Sequence, residues 1–342
     1  MTQIRSTRRR PFVAAALTIS LCASLADLAE AGAEPVREEG CPSSSSLRGQ
    51  SGVIRQGDLP DGTDVVECGL VGMTLVSQDS LAFSVTVPPP GEGIELYVTS
   101  TTRSVRLGVD VAEDGELEYL LEDATKSGSS ESAASPPTAC KDKTWTLSSS
   151  PGRLWDGEPV HYDVDTFPSY LNSTTVKNQV VASVNAWPSL YNNCGMVDDI
   201  DVAWVNAGDS DVGVSIDSTG SCYTSDPNFD NFSQIKFGAL PTGVLGVTCR
   251  ARQGGVAIGV DMRLKNGSMW TTHGASASCS NKYDLRSVVT HEAGHLWGLG
   301  DVADYESHPA LTMRGAVGPD EKCTTFMRTL AKGDVLGMRA VY

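Results

Sequence analysis

Two histidines four residues apart flank a glutamate in the stretch His291-Glu292-Ala293-Gly294-His295. On a helix that spacing sets both imidazoles on one face, one turn apart. Neutral imidazole nitrogens are zinc ligands, and a catalytic zinc keeps one position for water beside three protein ligands. Such a metal lowers the pKa of its water toward ~7. Glu292 lies next to a ligand and can reach that water without binding the metal. It would take the proton and later deliver it to a leaving amine. The pattern His-Glu-x-x-His therefore carries a mechanism for peptide-bond hydrolysis.

Three neighbouring features strengthen the reading. Gly298 follows His295 by three, where a helix that must stop and turn back needs a residue tolerant of left-handed φ. Asp301 follows Gly298 by three, where a third ligand returns to the metal. Leu311-Thr312-Met313-Arg314 could place a methionine beneath it, with Met327 as an alternative. His308 rivals Asp301 as third ligand, but its position does not fit the tight turn. His161 and His273 lie outside any ligand spacing.

The stretch HEAGHLWGLGD resembles the metzincin metallopeptidases, whose pattern is His-Glu-x-x-His-x-x-Gly-x-x-His followed by a methionine turn. Every signature position matches except the last, where Asp301 stands for histidine. Within that group the chain is similar to the matrixins, bacterial members included. Tyr283-Asp284-Leu285-Arg286-Ser287-Val288 and Gly333-Asp334-Val335-Leu336-Gly337 through Tyr342 carry this likeness. Enzymes of the snapalysin type also use aspartate as third ligand. The resemblance covers about 140–342. It implies a catalytic zinc held by His291, His295 and Asp301, with Glu292 as general base. It also implies a twisted, mostly parallel five-stranded sheet over the active-site helix, a C-terminal helix, and an extended substrate along an edge strand, expected at Val256 to Leu264. Calcium is left open: Asp209, Asp211, Asp226 and Asp230 are acidic, but their spacing misses the EF-hand pattern.

The elements that must position these residues show in the hydrophobic periodicity. Asp284 caps a helix predicted to run to about Trp297, and a last helix covers roughly Ala331 to Val341. Val176, Val180, Val181, Val184 and Trp187 fall at helical spacing over Thr174 to Leu190, with Ser173 or Thr174 as N-cap. Ile200 to Trp204 and Val212 to Ile216 alternate as strands. Val247 to Arg252 and Val256 to Leu264 flank Gly254-Gly255 as a hairpin or neighbouring strands. Between 52 and 123 period-two alternation recurs, as in Leu81, Phe83, Val85 and Val87, then Ile94, Leu96 and Val98, then Val105 to Val111. The predicted class is α+β: a small β-rich prodomain or accessory domain over 34–123, a Ser/Pro-rich linker over 124–139, and a metallopeptidase domain over 140–342. Exposed linkers of such composition are where proteases cut.

Composition sets the setting. The chain has 342 residues, 40% of them hydrophobic, and a net charge of −16. So acidic a chain has no electrostatic case for nucleic acid or anionic lipid. Residues 1–31 read as a signal peptide: Arg5, Arg8, Arg9 and Arg10 precede a short apolar run from Phe12 to Ala26, then Ala29-Glu30-Ala31. That run falls short of the ~20 residues a spanning helix needs. Three arginines before Phe12 fit an ordinary or a twin-arginine signal. Of nine cysteines, Cys22 lies in the signal, and the remaining eight imply four disulfides in an exported chain. Cys68 could instead block a metal as a propeptide thiol, but its segment lacks the family's switch motif, and a bridge such as Cys41–Cys68 is favoured. The sequence thus reads as a secreted, monomeric metalloendopeptidase acting on proteins or peptides. The alternative is a secreted binding or adhesion protein with a purely structural zinc, for which Glu292 would have no use.

Overall fold

A computed structural model describes residues 41–42, 53–55, 58–60, 62–76, 83–125, 139–148, 158–223, 232–303, 307–318 and 321–342. The signal segment 1–31, most of the linker, Leu81, Asp226 and Asp230 lie outside the described residues. Early strands are β1 (Val53–Arg55), β2 (Thr74–Val76), β3 (Ser84–Thr86), β4 (Glu92–Ser100), β5 (Arg103–Val111) and β6 (Leu117–Thr125). After β7 (Thr146–Leu147) and β8 (Glu158–Tyr162) comes helix α1 (Ser173–Asn185). Then follow β9 (Trp204–Asp209), β10 (Ser233–Gly238), β11 (Val244–Gln253), β12 (Val256–Lys265), β13 (Trp270–Thr271) and β14 (Tyr283–Asp284). Helix α2 (Leu285–Leu296), β15 (Leu299–Gly300) and helix α3 (Lys332–Val341) close the chain. The class is α+β.

One eight-stranded sheet dominates, in the order β6-β5-β4-β11-β12-β10-β8-β9. The five strands from residues 158–265 are contiguous in it. Pairings β12–β10, β10–β8 and β8–β9 are parallel, while β11–β12 is an antiparallel hairpin. Its turn is Gly254-Gly255, both at positive φ, as a tight hairpin requires. On the far side of β11 the β-rich segment adds β4, β5 and β6, all antiparallel. The sheet therefore runs without interruption from that segment into the strands of the C-terminal segment.

This topology corrects one expectation. The strand at Val256 to Leu264 is not an edge: β12 is bonded to β11 on one side and β10 on the other. Its main-chain donors and acceptors are already committed to neighbours, so an incoming peptide cannot pair with it. Periodicity shows a strand's faces, whereas its neighbours depend on long-range topology.

The helices pack by their predicted stripes. Val176, Val180 and Val184 of α1 are buried at four-residue intervals. The cap is Asn172, whose side chain accepts from Thr175 N at 3.0 Å, not Ser173 or Thr174. The helix ends at Asn185, not Leu190, because Pro188 disfavours helical backbone at the residue before it. Indole Nε1 of Trp187 donates to Thr290 O at 2.7 Å and that of Trp297 to Val184 O at 3.2 Å, tying α1 to α2. Neither of the strands expected at Ile200 to Trp204 and Val212 to Ile216 forms as placed; the strand here is Trp204–Asp209, which shares only Trp204 with the first. Around Ser215 the backbone donor goes instead to the Asp261 carboxylate at 2.6 Å.

Four disulfides, Cys41–Cys68, Cys140–Cys194, Cys222–Cys249 and Cys279–Cys323, use all eight cysteines beyond Cys22. Cys68 is thus bridged. Among the described residues no helix is long and apolar enough to cross a membrane. Four disulfides fit an extracellular protein.

Candidate metal centre

Helix α2 begins at a fixed point. Asp284 accepts from Ser287 N at 2.9 Å and is held in turn by Arg328, Nε to Oδ1 at 2.8 Å. From there the helical repeat carries His291 and His295 to the same face. Trp297 N and Gly298 N close the last turn onto Ala293 O and His295 O. Gly298 takes φ 95°, and the chain reverses into β15, which pairs with β7. The reversal returns Asp301 to the histidines.

His291 Nε2 lies 3.3 Å and His295 Nε2 3.6 Å from Asp301 Oδ1. One ligand atom from each of the three residues falls within 4.8 Å of the others, the one such cluster among the described residues. Both histidines are fully buried, and Asp301 nearly so. Neither Nε2 nor either Asp301 oxygen has a hydrogen-bond partner. Buried polar atoms are seldom left this way. A tetrahedral ion with ligands at 2.0–2.1 Å needs ligand atoms roughly 3.3–3.4 Å apart, close to the spacings seen.

The opposite ring nitrogens are engaged. His291 Nδ1 bonds Thr312 O at 2.8 Å, and His295 Nδ1 bonds Leu299 O at 2.9 Å. A carbonyl only accepts, so each Nδ1 carries the proton and each Nε2 presents its lone pair to the cluster. Burial holds both imidazoles neutral. It lowers the pKa of His291 to about 4 and that of His295 well below its ordinary value. Asp301 moves the other way, pushed well above the carboxylate range by burial and then by the Glu292 charge. Arg106 lends some positive charge to Asp301, and a divalent cation would supply more to these two buried carboxylates beside neutral imidazoles.

Glu292 is fully buried beside this cluster. Its Oε2 accepts from Thr248 Oγ1 of β11 at 2.6 Å, while Oε1 has no hydrogen-bond partner. Burial raises its pKa to about 7, with the Thr248 and Thr99 hydroxyls pulling it down. Beneath the helix, a Cβ on Gly294 would overlap the Met313 sulfur and the Trp187 ring. Only glycine lets that methionine seat under the histidines. Asp334, at the start of α3, accepts from Thr312 N at 2.8 Å, Met313 N at 3.1 Å and Ala331 N at 2.8 Å. It pins the turn whose carbonyl orients His291.

The remaining candidates lie elsewhere. His308 Nδ1 is paired with Asp142 at 2.8 Å. Met327 is in the core of the C-terminal part, His161 packs against Phe232, and His273 is exposed. Asp209 accepts from Val164 N at 2.9 Å. Sequence reasoning did not identify Thr248, Asp334 or Tyr97 as part of this centre. Tyr97 of β4 stacks on His295 with ring centroids 4.0 Å apart.

No protein-family model matches the chain. It is similar to matrix metalloproteinase-20 of Homo sapiens, at 24% identity over 198 residues, 56% of this chain. The match spans 34% of that protein, about a third of its length. This is a distant, metalloproteinase-like relationship.

Proposed function

We propose that the chain is a secreted zinc-dependent endopeptidase of the metzincin type, matrixin-like with an aspartate as third ligand. The observation that carries this is the convergence of His291 Nε2, His295 Nε2 and the Asp301 carboxylate, all buried and without hydrogen-bond partners, beside Glu292. The distant metalloproteinase similarity supports the same class.

His291, His295 and Asp301 would hold the metal. Zinc, when bound, polarises a scissile carbonyl and makes water more acidic. Glu292 would take a proton from water and pass it to the departing amine, with Thr248 fixing one carboxylate oxygen and the other left without a hydrogen-bond partner. A pKa near 7 suits a group that must accept and then release a proton. Met313 and Asp334 hold the floor and the turn. Protein or peptide substrates follow from this chemistry, and a purely structural zinc would leave Glu292 without a role. Export is consistent with the four disulfides.

The test is zinc content together with casein hydrolysis, by the intact chain and after limited proteolysis, with and without a zinc chelator. Zinc bound one to one and chelator-sensitive hydrolysis are expected. Zinc-loaded protein that cleaves nothing in either form would overturn the reading.

A further inference from the structure

Strand β11 lies beside the metal centre, and its side chains alternate between two environments. Val247 and Cys249 belong to an apolar core shared with Ile94, Leu96 and Val98 of β4. Thr248, Arg250 and Arg252 lie on the other face. Thr248 donates there to Glu292, so this is the face toward the metal. Arg250 and Arg252 are both buried. Two guanidiniums buried at alternate positions of one strand are costly unless anions meet them.

Glu95 of β4 meets them. It sits directly opposite Arg250 in the ladder, 3.8 Å from that guanidinium and 3.9 Å from Arg252 Nε. Arg106 of β5 approaches the same carboxylate at 3.1 Å. Arg252 also holds Asp110 of β5, its Nη2 donating at 2.5 Å. Arg250 is steadied from its own side of the linker, where Nη1 donates to Ser148 Oγ at 3.0 Å. Both β11 arginines thus belong to the metal-binding segment, while Glu95 and Asp110 belong to the β-rich segment.

The register ties this charge to the reaction. The pairing of β4 with β11 is antiparallel, as when an extended peptide adds to a sheet edge. Along β4, Tyr97 lies over His295, and Thr99 sits opposite Gly246, against which Glu292 packs. Glu95 comes two residues before Tyr97 and so shares its face. A peptide bound along β11 in this direction would present the side chain at that place to Arg250 and Arg252. The place lies on the N-terminal side of the bond that faces the metal. An arginine pair matches a carboxylate in charge and in forked donor geometry. The net charge of −16 repels acidic peptides at long range, so an acidic preference would report these local arginines.

We infer that Arg250 and Arg252 form a subsite for an acidic side chain, and that the substrates are proteins or peptides carrying Asp or Glu there, two residues ahead of the one over His295. The inference rests on the peptidase reading above.

The test uses the full-length, zinc-loaded protein after limited proteolysis between residues 126 and 138. Its probes are three fluorescent peptides with the sequence of Glu92–Ser100, carrying Glu, Gln or Lys at the place of Glu95. Binding is read by anisotropy and hydrolysis by chromatography. Residues 41–125, where they stay associated, compete equally with all three peptides and leave the ratios unchanged. The Glu peptide is expected to bind roughly 10- to 100-fold tighter than the Gln peptide, with Lys weakest and cleavage in the same order. Arg250→Gln should bring the Glu and Gln peptides to within about threefold of each other. Arg252→Gln gives the same reading where Arg250→Gln fails to fold. Equal binding of the Glu and Gln peptides, or binding of none, overturns the inference. So does a preference that persists undiminished in both variants. Hydrolysis without an acidic preference overturns it and leaves the peptidase reading standing. Acid-selective binding that the variants lose, with no cleavage, upholds the subsite and sinks the peptidase reading instead.

Discussion

The Tyr97 ring lies on the His295 imidazole with centroids 4.0 Å apart and planes 13° from parallel. This contact joins a strand of the β-rich segment to a helix far along the chain. It removes one face of the imidazole from water and so shares in the burial that keeps His295 neutral. A neutral ring whose Nδ1 proton is committed to Leu299 O is the form that binds a metal.

Glu292 is the residue whose removal separates binding from chemistry. Glu292→Gln keeps the size of the side chain and an oxygen for Thr248 but cannot take a proton. We expect near-stoichiometric zinc and a loss of about 10²- to 10⁴-fold in turnover. Zinc analysis and peptide hydrolysis on one preparation check this, and wild-type turnover would remove Glu292 from the mechanism.

Gly294 and Met313 form a second pair. A methyl group at Gly294 must displace the Met313 sulfur or the Trp187 ring, both buried in the core. Gly294→Ala is expected to cost about 1–3 kcal/mol by overpacking, although alanine is the better helix former. Met313→Leu, nearly equal in volume, should cost less than about 1.5 kcal/mol. Urea unfolding of both variants gives the comparison, and a stabilised Gly294→Ala would show that the methionine does not seat there.

Much of the cluster was legible because it is local. His291, Glu292, His295, Gly298 and Asp301 lie within eleven consecutive residues, and helical geometry converts their spacing into position. The helix start at Asp284 was legible for the same reason. Thr248 and Tyr97 were not, since each reaches the centre through strand pairing, across β11 to β4. No local pattern states which strand lies beside which. The same gap misplaced the edge strand at β12, and it left the cysteine pairing open until the sheet was known. Asp334 lay within the recognised Gly333-Asp334-Val335 stretch. Its role depends on two backbone donors from the Thr312-Met313 turn and one from Ala331, the cap of its own helix.

Asp334 gives a pH prediction. Burial pushes its carboxyl up to about 6 despite the backbone N–H groups that favour the charged form. The unfolded chain releases this proton near the ordinary value of 3.8, while the folded chain keeps it to about 6. The stability linked to this group is therefore complete below pH 4 and is lost as pH rises through 6, a change of about 3 kcal/mol. Asp334→Asn lacks the titration, and its amide meets a backbone donor, so it should be less stable throughout. Its deficit should shrink between pH 4 and 7. Urea unfolding of both metal-free proteins across that range checks the slope, and a constant deficit would contradict it.

Asp301 and His308 compete for the third ligand position, and their environments differ. Asp301 lies 3.3 Å from His291 Nε2, with both oxygens lacking hydrogen-bond partners. His308 is paired with Asp142 at 2.8 Å. The short turn from Gly298 suits a short side chain, which must bring Leu299 to Asp301 close beneath the helix. Asp301→Ala is therefore expected to weaken zinc by more than the roughly 100-fold that loss of a supporting partner costs. His308→Ala should bind zinc like wild type, losing only its hydrogen bond with Asp142. Asp301→His should retain zinc if the turn admits the longer ring. Competitive zinc titration ranks the three variants. Tight zinc in Asp301→Ala together with lost zinc in His308→Ala would reverse the assignment.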